Sequence, residues 1–152
     1  LYYSLDGFDK RKNNLDILKA LSEKFGYKVK FITPEWPYHE FGEDLRGVGP
    51  IEFLNLIQQA KIVCTNSFHG TALSIKLGVP FYVLESKNIK DERKRSILKQ
   101  LELQDRIISS YKDIGNIDDY SINYNKVNIK LKELMKLSSI YLKKALDIVV
   151  EE

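Results

Sequence analysis

The sequence predicts a single α/β domain: a parallel, doubly wound sheet flanked by helices, with a long helix at the C-terminal end. Three observations carry this. Short β-rich runs alternate with helical apolar periods along the whole chain, the mark of α/β folds. The 152 residues correspond to about one domain at the usual ~100–200 residues per domain. With 43% hydrophobic and 30% charged residues, the composition is that of a globular protein, not of a disordered, collagenous or membrane chain.

The elements follow in order. Leu1 to Ser4 is a short aromatic run ending at the turn signal Asp6-Gly7. Leu15, Leu18, Leu21 and Phe25 mark one face of a helix that Gly26 closes, since a left-handed residue after the last turn is where glycine is favoured. Tyr27 to Thr33 alternates Tyr27, Val29 and Phe31 with Lys28 and Lys30, which predicts a half-exposed strand near a sheet edge. Thr33 to Gly49 has no period of either kind and carries prolines and glycines, so it is expected to be a loop. Pro50 fits a first helical position, and Ile51, Leu54 and Ile57 mark a short helix ending near Ala60.

Lys61 to Thr65 then reads as a strand, Asn66 to Thr71 as a turn, and Ala72 to Leu77 as a helix closed by Gly78. The strand Phe81 to Leu84, a polar linker, a helix over Glu92 to Leu101 and a short strand Arg106 to Ser109 come next. From about Asn123, Val127, Leu131, Leu134, Tyr141, Ala145 and Ile148 recur at helical spacing, with one turn skipped at Ser138. The domain is therefore expected over 1–120, with an amphipathic helix over 121–152. Four or five strands separated by helices favour a parallel Rossmann-like sheet with right-handed crossovers, although no GxGxxG occurs.

Several classes are excluded. Lys and Arg number 24 against 21 Asp and Glu, a net +3 with the signs mixed along the chain, so nothing asks for a nucleic-acid partner. The single cysteine, Cys64, has no partner for an internal disulfide and no neighbours at metal-ligand spacing. A reducing, cytoplasmic setting fits best, compatible with association at the inner membrane face, and neither a metal nor a cofactor is expected. No apolar run approaches the ~20 residues of a membrane span, and the start lacks the build of a signal peptide. The chain opens at Leu1 and its one methionine is Met135, so a preceding segment is expected.

In open α/β sheets ligands bind beyond the carboxyl ends of strands, which ranks two turns first. In the first, Thr65 to Thr71, a helix start offers unpaired amides and a positive dipole end to an anion. Asn66, Ser67 and Thr71 supply polar side chains, Gly70 lets a ligand approach the backbone, and His69 can exchange a proton near neutral pH. Asn and Ser are also ordinary N-caps, and a histidine near a helix start often only bonds a loop. In the second, Gly47 to Glu52, Gly49 shapes a helix entrance and Glu52 falls in the first helical turn, where compensation of the dipole competes with ligand binding. Arg93 and Arg95 follow another strand, where guanidinium pairs with phosphate or carboxylate bidentately. A solvated helix start is their alternative.

The run from Gly49 to Leu84, with its Ser67-Phe68-His69-Gly70-Thr71 turn, and the basic segment Asp91 to Ile107 resemble the C-terminal half of the polysaccharide pyruvyl transferase family over roughly Gly47 to Ile108, more loosely back to Leu1. The resemblance implies the second of two Rossmann-like domains of a glycosyltransferase-B-type fold, the N-terminal domain being missing. It implies an enzyme, inactive as this fragment alone, that transfers the pyruvyl unit of phosphoenolpyruvate to a sugar hydroxyl and forms a pyruvate ketal in surface polysaccharide or its lipid-linked precursor. The Ser67 to Thr71 turn would hold phosphate, and His69 would be the acid or a phosphate ligand. Arg95 aligns better than Arg93 with a family arginine. A nucleotide-sugar-binding half of a glycosyltransferase and a non-catalytic binding module are the alternatives.

Other features are discounted. His39, beside Trp36 and Tyr38, is expected to be partly buried rather than functional, Cys64 to be an inert core thiol and Arg106 to be structural. The Lys-rich final helix is broken by Glu133, Asp147, Glu151 and Glu152, which favours a packed helix over one lying on a membrane. An exposed apolar stripe on it is expected if it crosses toward another domain.

Overall fold

In the computed structural model, residues 1–5, 12–34, 41–45, 47–85 and 92–150 are described. Among these, six strands and five α-helices run in the order β1 (Tyr2–Tyr3), α1 (Lys12–Phe25), β2 (Val29–Ile32), β3 (Gly42–Asp44), α2 (Pro50–Gln59), β4 (Val63–Thr65), α3 (Phe68–Leu77), β5 (Phe81–Leu84), α4 (Glu92–Gln100), β6 (Ile107–Ile108) and α5 (Tyr124–Val150). The 3-10 segments Gln104–Arg106 and Tyr111–Asn116 flank β6. Asp6 and Gly7, the aromatic group Trp36, Tyr38 and His39, and the side chain of Ile148 lie outside the described residues.

All strand pairs are parallel, in the order β3-β2-β1-β4-β5-β6. From β1 the chain proceeds through α1 outward to β2, whereas from β4 it proceeds through α3 outward to β5 in the opposite direction. The connections therefore diverge between β1 and β4, and this switch point is where open α/β sheets place their ligands. Register there pairs Tyr2 with Cys64 and Tyr3 with Thr65.

Strand alternation divides the interior into two cores, because successive side chains leave opposite faces. Cys64, Tyr82 and Leu84 join Tyr2, Phe31, Ile17, Leu18 and Leu21 on the α1 side. Val63, Phe81 and Val83 join Ile57, Ile75, Leu98 and Val127 on the other. Both faces are covered, so β4 and β5 are buried throughout. Gly26 and Gly78 close α1 and α3 at φ near +70°, as their positions predict.

The sequence reading needs five corrections. Among the described residues there are six strands rather than four or five. The expected loop contains β3, which pairs with β2 in register Val29 to Gly42 through Phe31 to Asp44, so β2 is one strand in from the edge. A Cβ on Gly42 would lie 2.3 Å from the Phe31 ring, hence the glycine. Helix α3 begins at Phe68, four residues before Ala72, so most of the expected turn is its first turn. Only Ile107 and Ile108 of the last predicted strand are extended.

The fifth correction concerns α5. The hydroxyl of Tyr124 donates to the Val79 carbonyl at 2.5 Å, Val127 is buried, and Leu131 and Leu134 pack on the second core. Tyr141, counted with that packing face, is 73% exposed, and Met135, Leu137, Ile140, Leu142 and Leu146 are exposed with it. Lys126 and Lys130 both pair with Glu102, at 2.7 and 2.8 Å, fixing the near end of α5 to the end of α4. No helix of the described residues is long and apolar enough to cross a membrane.

Candidate functional site

Thr65 ends β4 at the switch point and is fully buried. Its Oγ1 donates to the Tyr3 carbonyl of β1 at 2.7 Å and accepts the Ser67 amide at 3.0 Å. One hydroxyl thus joins the two diverging strands to the start of α3. Ser67 is the N-cap in extended backbone, and its side chain makes no bond to the helix. The amides of Phe68, His69 and Gly70 belong to the first turn, where no intrahelical acceptor exists, and the positive end of a ten-residue helix adds to them. Donors and a hydroxyl therefore converge where an anion is stabilised.

His69 is exposed on this first turn, with its ring edge-on to Phe68 at a centroid distance of 6.0 Å. The Arg93 guanidinium lies 5.5 Å from the centroid of Phe68. His69, Ser67, Phe68 and Arg93 therefore form one cluster.

Five of the expected site residues make other contacts in the structure. A Cβ on Gly70 would lie 2.5 Å from Thr65 Oγ1 and 3.0 Å from the Tyr3 ring, so the glycine admits strand atoms rather than a ligand. Thr71 is fully buried and its hydroxyl donates to the Ser67 carbonyl at 2.9 Å. Arg95 makes a two-pronged pair with Glu85, Nε to Oε1 at 3.2 Å and Nη2 to Oε2, and this hydrogen bonding raises the guanidinium pKa. Glu52 accepts from the Gly49 amide at 3.1 Å, the back-reaching half of a capping box, which is its dipole-compensating alternative. A Cβ on Gly49 would meet nothing nearer than 3.9 Å, so no close approach requires that glycine.

Asn66 links Thr65 to the N-cap, and its carbonyl accepts from Lys94 Nζ at 2.6 Å. Lys94 is 6% exposed, a residue that the sequence reading passed over between its two arginines. Glu85, 3% exposed at the end of β5, was passed over too, although a carboxylate directly after the fully buried FYVL strand is a signal in its own right. Arg106 is structural as expected: it donates to the Tyr120 and Ser121 carbonyls, each at 3.1 Å, and stands 5.6 Å from the Tyr82 ring centroid. Cys64 is a core residue, 5% exposed, and this burial pushes its thiol up to about 11. A mainly apolar cavity of about 280 Å³, lined by Leu1, Leu18, Leu21, Ile62 and Cys64 with Lys28, Lys30 and Lys61, opens at the amino ends of β1, β2 and β4, away from this cluster. Among the described residues no group of His, Cys, Asp and Glu is placed to hold a metal ion.

The polysaccharide pyruvyl transferase family model matches residues 2–88, more than half of the chain. The chain belongs to the polysaccharide pyruvyl transferase family. Neither a curated protein nor a solved structure matches it. The match begins at β1, within the looser part of the resemblance, and covers the whole Thr65 to Thr71 segment. It stops at Asn88, short of α4, so the contacts of Arg93 with Phe68, of Lys94 with Asn66 and of Arg95 with Glu85 come from the geometry alone. As a transferase family, it uses a donor substrate and a saccharide acceptor.

Proposed function

We propose that this chain is the donor-side domain, 1–120 with α5 appended, of an enzyme that transfers the pyruvyl unit of phosphoenolpyruvate to a sugar hydroxyl. The observation that carries the reading is the start of α3: Ser67 does not cap its own helix, which leaves its hydroxyl and three amides to a ligand beside an exposed His69. Phosphate and carboxylate on the donor need such donors. Family membership supplies the reaction class.

In the proposed reaction the methylene carbon of phosphoenolpyruvate takes a proton and becomes a methyl group, leaving an oxocarbenium-like C2. One sugar hydroxyl oxygen bonds to C2, the bond from C2 to the phosphate oxygen breaks, and phosphate departs. A second hydroxyl closes the ketal. Of the two hydroxyl protons, one replaces the proton spent on the methylene and one leaves with phosphate. His69 either protonates the methylene carbon or binds the phosphate, and Ser67 with the first amides of α3 bears the growing phosphate charge. The acceptor is a saccharide or lipid-linked saccharide of surface polysaccharide synthesis in the cytoplasm or at the inner membrane face. It is bound across a cleft from a preceding Rossmann-like domain in a glycosyltransferase-B-type arrangement. The reading needs neither a metal nor a cofactor beyond the donor.

Ligand-observed NMR of the chain with phosphoenolpyruvate, with inorganic phosphate and uridine diphosphate as controls, tests the reading. Saturable binding of phosphoenolpyruvate that weakens in His69→Ala supports it. Preference for uridine diphosphate would replace it with nucleotide-sugar chemistry. In the full-length transferase His69→Ala is expected to lower turnover by orders of magnitude. His69→Asn, which keeps a hydrogen-bond donor but no titratable proton, recovers part of the rate only if the residue binds phosphate.

A further inference from the structure

The run Glu92-Arg93-Lys94-Arg95 reads as a solvated charge cluster, yet in α4 its three cations point to three different elements. Arg95 is held on Glu85 at the end of β5, Arg93 lies over Phe68 in the first turn of α3, and Lys94 reaches the Asn66 carbonyl between β4 and α3. Lys94 lies four residues before Leu98 and seven before Leu101, which are 0% and 1% exposed, so it occupies the buried stripe of the helix. An apolar side chain is what that stripe asks for. Burying an ammonium there is costly unless it is hydrogen-bonded, and Lys99 on the same helix is exposed in the ordinary way.

We propose that Lys94 is a positioning residue for the donor anion. By holding the Asn66 carbonyl, it fixes the peptide that leads into Ser67, and so sets the direction of the Ser67 hydroxyl and of the first amides of α3. Its charge also offsets the negative end of that carbonyl dipole beside the incoming phosphate. Arg95 and Glu85 orient the helix turn from which Lys94 reaches. The inference rests on the reading of the α3 start as the donor site.

The test compares the chain with its Lys94→Met, Lys94→Gln, Lys94→Arg and Lys99→Met variants, titrated with phosphoenolpyruvate and with inorganic phosphate and followed by amide NMR, with thermal melts to show that each is folded. Loss of a charge-assisted hydrogen bond that orients the site is expected to weaken both ligands by roughly ten- to a hundredfold in Lys94→Met and to shift the Ser67, Phe68 and His69 amide resonances. Lys94→Arg restores most of the affinity, and Lys99→Met changes nothing. Affinity unchanged in folded Lys94→Met overturns the positioning role while leaving the donor site intact. If Lys94→Met fails to fold, Lys94→Gln, which keeps a donor without the charge, decides in its place: full affinity overturns the role. Wild-type chain that binds neither ligand overturns the donor site, and the inference with it.

Discussion

Helices α2 and α3 both start at the carboxyl end of the sheet, and each start is read from sequence as a ligand turn. They differ in what closes them. At α2 the cap is internal: Glu52 folds back on the Gly49 amide at 3.1 Å and Pro50 removes one orphan donor from the first turn. At α3 the serine hydroxyl leaves the helix uncapped, and the surrounding bonds instead tie the turn to neighbouring strands through Thr65. The N-cap residue, Gly49 in one and Ser67 in the other, therefore does not by itself distinguish a closed helix end from one available to an anion, since neither side chain bonds its own helix. What distinguishes them is whether a carboxylate occupies the third helical position, Glu52 in α2 against Gly70 in α3.

The strongest way to break this comparison is at the glycines. Gly70→Ala forces a methyl group against Thr65 and Tyr3 and is expected to cost about 2–3 kcal/mol by overpacking, read from urea unfolding. Gly49→Ala, with free space around it, is expected to cost at most about 1 kcal/mol. Equal losses would show that the two starts are built alike. Thr65→Val should follow, costing about 1–3 kcal/mol because the part-buried Ser67 amide loses its acceptor and the Tyr3 carbonyl its donor. Phosphoenolpyruvate affinity should fall with it, as isothermal titration would show.

Glu52→Ala is expected to remove about 0.5–1 kcal/mol of cap and dipole stabilisation and to leave donor affinity unchanged. Weakened binding in that variant would make the second turn part of the site. The smallest effect serves as a control remote from both starts. Hydrogen bonds from Lys126 and then Lys130 hold the Glu102 carboxyl down to about 2 from an ordinary 4.5. A carboxyl with a depressed folded pKa lends stability that is fully present above its unfolded value and is lost as pH falls through the folded one. The difference in Tm between wild type and Glu102→Gln should therefore be constant above pH 4.5 and close as the pH approaches 2, and it should shrink in salt, as expected of an exposed pair.

The fold was legible where the local signal and the tertiary structure agree. Gly26 and Gly78 sit at left-handed closures, Pro50 opens α2, and the apolar strands at Val63 and Phe81 are the two most buried. Strand β3 was not legible because Gly42-Glu43-Asp44 has no β preference; it is extended through its ladder with β2 and the 3.7 Å pair of Lys30 with Glu43. The true start of α3 was hidden because Phe68-His69-Gly70 is a poor helix former whose helicity comes from close packing on β4 and β1. The Ser67 to Thr71 motif marks the candidate turn, which the structure places at the start of α3 beside the β1–β4 switch point. Its internal division of labour was not legible: whether Thr71 or Arg95 faces a ligand or the protein depends on Ser67 and Glu85, and Lys94 is separated from Asn66 by 28 positions.

Cys64 immediately precedes Thr65, is the single cysteine of the chain, and is both buried and held protonated by its surroundings. Thiol reagents attack the thiolate of an accessible sulfur, and Cys64 is 5% exposed in the wall of the 280 Å³ cavity, so the folded chain should react slowly and faster when β4 or that wall loosens. The chain thus carries a native stopwatch at the root of the α3 turn: the rate of thiol labelling reports how often β4 and the cavity wall beside it loosen, and substitutions around Ser67 can be ranked by how fast they let it run, with no label engineered in.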